Sequence, residues 1–323
     1  MLPSKDLYNK IMRSFTGVQL MAMVLCLASC TGESRIIKIQ QLSDYPSASA
    51  IEYFNSHYYI MGDDSRNLII LDSDLNITDS ISLYASAEKR IPKPVKGDIE
   101  AISLTKDNKL LLLGSGSIFP YRSGGWVIDP ATKHADSIRL DTIYERLRSS
   151  GLEVLNIEGV CSVPGSILMA NRGNKAWQKN HLVFVSEEFW KDQHLSPISL
   201  IGLGGNNDSA VFNGVSGLAY AAKADQLLLT VSTENTYSNT GDGAIGKSYL
   251  WIVNKISSKK GSKTINPDAI IDLERTDSRF LGQKIESLCI AKETEKSFHL
   301  ALTADNDDGS STIFTIIIPR PRL

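Results

Sequence analysis

The sequence is poor in the residues that mark several common protein classes. Its 323 residues include only four cysteines, too few for a disulfide-stapled scaffold of this size. A net charge of -2 excludes the strongly basic surface that a nucleic-acid coat requires, so we expect no nucleic-acid partner. With 42% hydrophobic and 22% charged residues, the chain is too apolar to be disordered. A folded globular protein remains, and its function has to be inferred from motifs.

Several catalytic signatures are also missing. The five histidines have no His-Glu-x-x-His spacing, and the sequence contains no Gly-x-Ser-x-Gly elbow. The segment Gly202–Gly205 lacks the Lys-Ser/Thr pair of a phosphate-binding loop. The segment Asp305–Gly309 lacks the glycine and the closing glutamate of an EF-hand, so it predicts a simple turn.

The N-terminus has the pattern of a secretion signal. Three basic residues, Lys5, Lys10 and Arg13, precede an apolar run from Phe15 to Leu27, which is too short to span a bilayer. The run ends in Leu-Ala-Ser-Cys at Cys30 and resembles the bacterial lipobox. This resemblance implies a signal peptide at 1–29, a lipid on Cys30, a tether at 30–34 and an anchor in the bacterial cell envelope, which we expect to be the outer membrane. The alternative is a cleaved signal with a chance cysteine.

A short repeat runs along the rest of the chain. Asn156-Ile-Glu-Gly-Val-Cys161 is the clearest copy, and its third residue marks the repeat. The marked positions are Ser49, Glu100, Glu158, Ser216 and Glu286. Each copy is followed by short runs rich in Ile, Leu and Val, separated by turns rich in Gly, Asp, Asn and Ser, which is the all-β pattern.

Four strands in each unit of 50 to 70 residues predict a five-bladed β-propeller. The last unit lacks its fourth strand, and Arg35–Gln40 is a spare strand at the start. We expect this strand to complete the last blade and close the ring, so that 35–323 forms one domain. A helix is predicted at 141–150, and a polar loop at 236–247.

The residue after each marked position is small. These residues, which would allow the first strands to approach one another around the axis, are Ala50, Ala101, Gly159, Gly217 and Ser287. Two places further on, Cys161 and Cys289 occupy the same position in non-adjacent blades. We interpret them as buried free thiols, the alternative being a disulfide.

The marked residues would form a ring, one from each blade, around the axis. Three carboxylates in one channel repel each other, and a bound cation or a proton relieves that repulsion. Oxygen ligands without a Cys/His cluster favour Ca²⁺ over zinc. The alternative is that Glu100, Glu158 and Glu286 only pair with Lys or Arg or cap backbone amides.

The ring order Ser-Glu-Glu-Ser-Glu resembles that of the calcium-activated nucleotidase (apyrase) family, five-bladed propellers with one axial calcium. Other short matches are Gly62-Asp-Asp-Ser-Arg66, Lys96-Gly-Asp-Ile-Glu100 and Gly114-Ser-Gly116. Asn171-Arg172 and Ser232-Thr-Glu234 fall where the family has an Arg pair and Ser-Glu-Glu. Ser65 stands where the family has Arg. A group of lipoprotein propellers similar to phytase-like esterase domains is another possible relative.

This resemblance implies a calcium-dependent hydrolase of phosphoanhydride or phosphodiester bonds in a small phosphorylated substrate. The candidate general bases, or additional ligand groups beside the calcium ring, are Asp63, Asp64, Glu234 and Asp305. Arg172, with Arg66 as a further candidate, would hold the phosphate by bidentate hydrogen bonds. The competing hypothesis is a non-catalytic, monomeric propeller that binds a glycan, peptide or envelope protein through aromatics such as Phe119, Tyr121, Trp177 and Tyr237. A propeller lactonase or esterase is a third hypothesis.

Overall fold

A computed structural model describes residues 33–205, 211–234, 237–238, 245–306 and 309–321, except for the side chain of Glu234. Over these residues the chain forms five β-sheets, as expected for a five-bladed propeller. Cys30 and the predicted signal peptide lie outside the described residues. Within the described ranges, no helix is long and apolar enough to cross a membrane.

The first two blades are regular four-stranded antiparallel sheets. Blade 1 contains β2 (Ala48–Phe54), β3 (His57–Gly62), β4 (Asn67–Leu71) and β5 (Ile77–Ser82). Blade 2 contains β6 (Ile99–Leu104), β7 (Leu110–Gly114), β8 (Gly124–Ile128) and β9 (Ala135–Arg139). In both blades the first strand lies at one end of the sheet and the chain proceeds outward strand by strand.

Blade 3 has one strand more than the sequence predicts. It contains β10 (Ile157–Val163), β11 (Ser166–Asn171), β12 (Asn180–Val185) and β13 (Ser199–Leu203). The two-residue strand β17 (Thr264–Ile265), which comes from the blade 4 segment, pairs in parallel with β13. The long segment between the last two repeat copies therefore adds one short edge strand to blade 3 as well as forming strands of blade 4.

The last two blades complete the ring. Blade 4 contains β14 (Asn213–Ala221), β15 (Gln226–Glu234), β16 (Ile245–Asn254) and β18 (Ala269–Asp272). Blade 5 contains β19 (Ile285–Glu293), β20 (Ser297–Asp305), β21 (Ser311–Pro319) and the N-terminal β1 (Arg35–Leu42). β1 pairs antiparallel with β21, so the predicted closure of the ring by the N-terminal strand is confirmed.

The hydrophobic core lies between the blades. Five clusters of buried side chains are present, and each joins two adjacent blades around the ring. The strands are therefore buried on both faces, which explains why their sequences are near-continuous apolar runs rather than alternating ones. Cys161 and Cys289 are buried free thiols, as expected.

Short helices lie in the segments that connect some of these strands. The predicted helix is present as α1 (Asp141–Ser149), and Ile143, Tyr144 and Leu147 anchor it in the core between blades 2 and 3. Helix α2 (Leu273–Thr276) follows β18, and two 3₁₀ turns span Ile256–Lys259 and Ser278–Phe280. Helix α1 bears directly on the candidate site, because its Tyr144 hydroxyl donates a 2.5 Å hydrogen bond to the carbonyl oxygen of Gly114, the last residue of β7.

Candidate functional site

All five marked residues are extra residues at β-bulges. In each blade the pairing between the first and second strands skips one residue of the first strand, and that residue is the marked one. A bulge leaves its extra residue out of the ladder and redirects it. The repeated bulge, and not regular strand alternation, therefore sets the position of the ring residues.

The small residue beside each bulge allows close contact between blades. A Cβ atom added to Gly159 would lie 2.9 Å from the backbone nitrogen of Leu218, and one added to Gly217 would lie 2.9 Å from the Cα of Ser287. Real Cβ atoms essentially never make backbone contacts this short. The prediction that small residues are needed here is confirmed.

The two serines of the ring connect adjacent blades. Ser49 Oγ donates a 2.6 Å hydrogen bond to the carbonyl oxygen of Ile99, and Ser216 Oγ donates a 2.7 Å bond to that of Ile285. Ile99 and Ile285 immediately precede the bulge residues of the next blades. Both serine hydroxyl hydrogens are therefore used in the scaffold, while their oxygen lone pairs face no other described donor.

Two of the three ring glutamates have cations beside them. Glu158 Oε1 accepts a 2.5 Å hydrogen bond from Asn156 Nδ2, and its Oε2 lies 3.7 Å from Arg172 Nη1. Glu286 Oε1 lies 2.9 Å from Lys284 Nζ. For these two glutamates, the alternative of pairing with Lys or Arg is present in the structure.

Glu100 has a different environment. Among the described residues it makes no direct ion pair, and its nearest acidic neighbours are Asp63 and Asp98. One carboxylate oxygen from each of these three residues lies within 4.8 Å of the other two. Lys96 forms ion pairs with Asp63 and, at 2.8 Å, with Asp98. Lys96 is therefore shared by the two aspartates, and Glu100 lies beside them.

Asp98 is held by a loop of its own blade. Arg122 Nη1 donates a 2.7 Å hydrogen bond to Asp98 Oδ2, and the hydroxyl of Ser115 donates to the same oxygen. Gly116 shapes this loop: its φ of +71° is a left-handed conformation, and the ring of Tyr144 in α1 leaves no room for a Cβ atom. Helix α1 therefore supports the loop that holds Asp98.

Electrostatic repulsion accompanies this crowding. Burial, followed by the charges of Asp98, Glu158 and Asp63, raises the pKa of Glu100 well above its usual value. Burial also raises the pKa of Glu158, against the lowering effect of Arg172. Although burial alone would lower the pKa of Lys96, its acidic neighbours raise it. The carboxylates of blades 1, 2 and 3 therefore interact across the axis.

Asp63 and Asp64 diverge although they are adjacent in sequence. Asp63 contacts Lys96 on the channel side, and burial raises the pKa of its carboxyl group more than Lys96 lowers it. Asp64 Oδ2 accepts a 2.7 Å hydrogen bond from Arg90 Nε. Within the described chain, Oδ1 of each residue is buried and has no hydrogen-bond partner.

Arg90 binds Asp64 and also lies within electrostatic reach of the buried Asp305 of blade 5. Burial alone would lower the pKa of Arg90, but its hydrogen bond to Asp64 and the charges of Asp64, Asp63 and Asp305 raise it. Three of the predicted acids therefore lie around one end of the channel. The side chain of Glu234, the fourth, lies outside the described part of the chain.

The two candidate arginines behave differently. Arg172 is buried, and its guanidinium lies so close to Gly214 that a Cβ atom there would be 2.3 Å from Arg172 Nε. Arg66 donates instead to the carbonyl oxygen of Ser86 at the surface, over 3.0 Å. The structure therefore brings Arg172 to the carboxylate ring beside Glu158, and directs Arg66 into a surface loop contact.

Sequence reasoning did not identify five charged residues of this site, namely Lys96, Asp98, Arg122, Lys284 and Arg90. Lys96 and Asp98 lie within a motif noted for its resemblance, and Lys284 precedes a marked glutamate by two residues. Arg122 lies in a different loop from its partner Asp98, so no sequence spacing links the two. Lys96 precedes Glu100 by four residues and Lys284 precedes Glu286 by two, so the two lysines have no common spacing that could have marked them.

Large aromatic side chains are exposed on nearby loops. Phe119 and Tyr121 lie on the loop that contains Arg122, and both are more than half exposed, as is Tyr237. Lys175 Nζ lies 4.9 Å from the centre of the Tyr237 ring. Charged and aromatic candidates therefore occur at the same end of the propeller, where the loops between second and third strands meet.

Solved structures of low sequence identity share this architecture. Glutaminyl cyclase from Myxococcus xanthus aligns with a TM-score of 0.50 and 11% identity, over 89% of this chain and 97% of that one. A putative exported protein from Bacteroides fragilis aligns with a TM-score of 0.44 and 8% identity, over 91% and 97% of the two chains. At these identities the likeness concerns the fold alone.

Sequence comparison gives a family but no activity. No curated protein matches the chain. A family model, described as a family of unknown function (DUF6929), matches residues 44–318. This match covers most of the chain and nearly all of the propeller, so the protein belongs to the DUF6929 family.

Proposed function

We propose that this propeller binds Ca²⁺ at the carboxylate end of its channel and hydrolyses phosphoanhydride or phosphodiester bonds of a small substrate. The observation that carries the proposal is the cluster of Asp63, Asp98 and Glu100, three carboxylates whose ion pairs among the described residues are with only two cations, Lys96 and Arg122. Among the described residues, seven acidic and five basic side chains lie around this end of the channel. A bound cation would therefore offset an excess of negative charge.

The residues present fit a hard divalent cation. The buried Oδ1 of Asp63 has no hydrogen-bond partner among the described residues, and Glu100 makes no direct ion pair there. These two residues and Asp98 would hold the ion through oxygen, the ligand type that Ca²⁺ prefers. Ser49 and Ser216 can add only lone pairs, because their hydrogens bond to the next blade. Glu158 and Glu286 would complete the ring by exchanging contacts with Arg172 and Lys284.

A bound calcium ion would polarise a phosphate oxygen or a water molecule. The chain's own contribution is positioning and proton transfer. Arg172 and Lys284 supply fixed positive charges beside the ring for an anionic group. Asp64 is the candidate proton acceptor, because Asp63 is occupied as a ligand and the buried Oδ1 of Asp64 has no hydrogen-bond partner among the described residues. Arg90, which binds Asp64 and lies within electrostatic reach of Asp305, would hold the adjoining loops in place.

A thermal melt of the full chain tests cation binding. Adding Ca²⁺ after chelation should raise the melting temperature, because an ion that binds only the folded state stabilises it by mass action. Glu100→Gln should abolish the rise. Glu187→Gln is the matched control, because Glu187 pairs with Lys106 at the surface. No rise in the wild type, with no metal in the purified protein, would refute the calcium site.

Activity is a separate test. Wild-type protein with Ca²⁺ should release phosphate from a nucleoside diphosphate or cleave a model phosphodiester, and Arg172→Gln should reduce that rate at least tenfold while keeping the calcium-dependent rise in melting temperature. If the protein binds Ca²⁺ but turns over none of these substrates, the proposed hydrolase activity is refuted. The calcium site would then serve a non-catalytic binding propeller.

The envelope location is proposed on the N-terminal pattern alone. Processing at Cys30 would leave a diacylated or triacylated cysteine joined to the propeller by the tether at 30–34. In an envelope fraction, Cys30→Ser should convert a detergent-extracted protein into an unprocessed or released one. Recovery of wild-type protein without a lipid-modified N-terminal peptide in mass spectrometry would refute the anchor.

A second candidate function is supported by the exposed aromatics. Phe119, Tyr121 and Tyr237 offer large apolar surfaces at the rim, as a glycan- or peptide-binding propeller would. Replacing Phe119 and Tyr121 together by alanine should leave hydrolysis intact if the enzyme proposal is right. It should abolish retention on a glycan or peptide array if the binding proposal is right.

A further inference from the structure

The N-terminal strand enters the propeller at the end opposite the carboxylate site. β1 begins at Arg35, which pairs with Ile317, and Ile317 pairs in turn with His299 on β20. His299 pairs with Lys292, which lies six residues beyond the bulge residue Glu286, or roughly 20 Å along β19. We term this the far end of the propeller. The length of a blade therefore separates the start of β1 from the carboxylate site.

The far ends of blades 4 and 5 are joined through Glu293. The backbone nitrogens of Lys223 and Ala224, in the turn between β14 and β15, both donate to its carboxylate. Glu293 also forms an ion pair with Arg320, which follows β21. Because its carboxylate is bound on two sides, Glu293 offsets little of the positive charge around it.

Exposed lysines line this far end and the segment that follows β16. They are Lys223, Lys255, Lys260, Lys263, Lys292 and Lys296, here named the lysine arc. Lys255 directly follows Asn254, which pairs with Gln226 at the far end of blade 4. Lys260 reaches blade 3, where its Nζ donates a 3.0 Å hydrogen bond to Ser166 Oγ. The arc therefore extends over the far ends of three adjacent blades.

The acids on the same stretch are mostly engaged elsewhere. They are Asp225, Asp268, Glu293 and Glu295. Asp225 accepts hydrogen bonds from the backbone nitrogen and the hydroxyl of Ser257, and Asp268 lies 3.6 Å from Lys259 Nζ. Within the described ranges, no lysine of the arc forms a side-chain ion pair. The arc therefore presents positive charge to the solvent.

An exposed apolar side chain lies beside the start of β1. Ile37 is the extra residue at a bulge between β1 and β21, and it is 55% exposed. Arg35 is also exposed, two residues earlier. Burial and then the charges of Lys292 and Arg35 lower the pKa of His299, so these basic groups lie close together. Basic side chains around an exposed isoleucine are typical of a surface that contacts lipid headgroups.

We infer that the far end of blades 4 and 5 lies against the anionic surface of the bilayer that holds the protein, with the lysine arc facing its headgroups. The inference depends on the proposed anchor at Cys30 and not on calcium binding or hydrolysis. A lipid on Cys30 would keep Arg35 within about 17 Å of the bilayer, the longest distance that five residues span. An anchor at one point does not orient the propeller, and the arc would supply the second contact. The carboxylate site then opens away from the membrane.

Acetylation of lysines in the full chain tests this contact. Wild-type protein from an envelope fraction is reconstituted in vesicles of phosphatidylcholine, either alone or with roughly one third phosphatidylglycerol. A membrane-impermeant reagent, sulfo-N-hydroxysuccinimide acetate, is added, and the products are resolved by peptide mass spectrometry. Lysines of the arc should react roughly threefold or more slowly on the anionic vesicles. Lys89, exposed beside Asp44 and next to Arg90 at the site end, should react equally on both.

Equal rates for the arc on the two kinds of vesicle would overturn the inference. Equal slowing of Lys89 would also overturn it, because the whole surface would then be covered. NaCl at about 1 M shortens the Debye length to about 3 Å and should restore the rates of the arc. Protection that survives this salt would point to a bound protein instead of headgroup charge, against the inference.

The same digest separates this inference from the anchor. Acyl chains on Cys30 together with unprotected lysines would refute the membrane contact and leave the anchor standing. A Cys30 without acyl chains would refute the anchor, and with it the inference.

Two double variants have the same change in charge at opposite ends of the propeller. Lys255→Glu with Lys263→Glu reverses two charges of the arc, and neither side chain has a hydrogen bond or ion pair among the described residues. Protection of the remaining arc lysines on anionic vesicles should be lost. Lys89→Glu with Lys93→Glu is the matched control at the site end and should leave that protection unchanged. Protection that is the same in both variants would overturn the inference.

Discussion

Ser49 Oγ donates a 2.6 Å hydrogen bond to the carbonyl oxygen of Ile99, the residue just before Glu100 in the next blade. Ser216 repeats this contact with Ile285, just before Glu286. At two of the five interfaces, therefore, the bulge serine of one blade binds the first strand of the next blade. The contact is made at the residue just before that strand's own bulge glutamate. The position of the ring carboxylates is coupled to the packing of blades.

Loss of these hydroxyls should weaken the ring. Ser49→Ala removes the donor and leaves a buried carbonyl poorly satisfied, so the free energy of unfolding should fall by about 1 kcal/mol. Ser49→Ala combined with Ser216→Ala should lose about 2 kcal/mol, because the two sites lie at separate interfaces. Chemical denaturation measures both, with the exposed Ser80→Ala as a control expected to change little. An unchanged midpoint in the double variant would contradict the proposed interblade role.

The glycine at the tightest interface should not tolerate a methyl group. Gly217→Ala places a Cβ atom 2.9 Å from the Cα of Ser287 and 2.7 Å from Thr230 Oγ1, so unfolding free energy should fall by roughly 1–3 kcal/mol. Gly124→Ala is the matched control, because its nearest neighbour would be 3.8 Å away. Equal stability of the two variants in denaturant melts would show that the blades can separate at little cost.

Glu100→Gln should stabilise the protein when chelator is present. The native state raises the pKa of Glu100, chiefly by burial and then by its acidic neighbours, so an ionised Glu100 at neutral pH destabilises the fold. Replacing the carboxylate by a neutral amide removes this cost, so the unfolding free energy should increase. Glu286→Gln should have the opposite sign, because it removes the partner of Lys284. A destabilised Glu100→Gln in chelator would mean that the carboxylate has an internal partner.

Glu52 should make stability depend on pH in a defined window. Burial raises its pKa from 4.5 to about 6, so the native state binds the proton more tightly than the unfolded chain does. Its stabilising contribution is complete below pH 4.5 and is lost as pH rises through 6, a change of about 2 kcal/mol.

Comparing wild type with Glu52→Gln isolates that contribution from other carboxylates. The difference between their unfolding free energies should shift by about 2 kcal/mol between pH 4.5 and 7, in favour of the variant at the higher pH. A difference that stays constant over this range would show that Glu52 has the same pKa in both states.

The repeat shows how far sequence reasoning reaches for this fold. Spacing of the marked residues, four apolar runs per unit and the spare strand at Arg35 were enough for five blades and their closure, because each blade must bury both faces against its neighbours. The bulge at every marked residue was not predicted. A bulge adds one residue to a ladder without changing composition, so hydrophobic patterning does not detect it.

For the candidate site, the sequence identified Glu100, Glu158, Glu286, Asp63 and Arg172 but not their pairing. Glu158 and Glu286 have cations beside them, whereas Glu100 makes no ion pair in the described part of the chain and lies beside two aspartates. Spacing along the chain does not indicate which lysine or arginine reaches which acid across the axis. The proposed calcium site therefore rests on Glu100 more than on the other two.

The sequence by itself determined the fold class, the number of blades, the strand that closes the ring and the residues that face the channel. These follow from local periodicity and from the need of every apolar strand to be covered. Only the tertiary structure decided which carboxylates are neutralised, how Ser49 and Ser216 are used, and that Glu52 accepts a hydrogen bond from the backbone of the next blade. Those features arise from contacts between blades 50 to 70 residues apart, and distances across the axis are set by the packing of all five blades together.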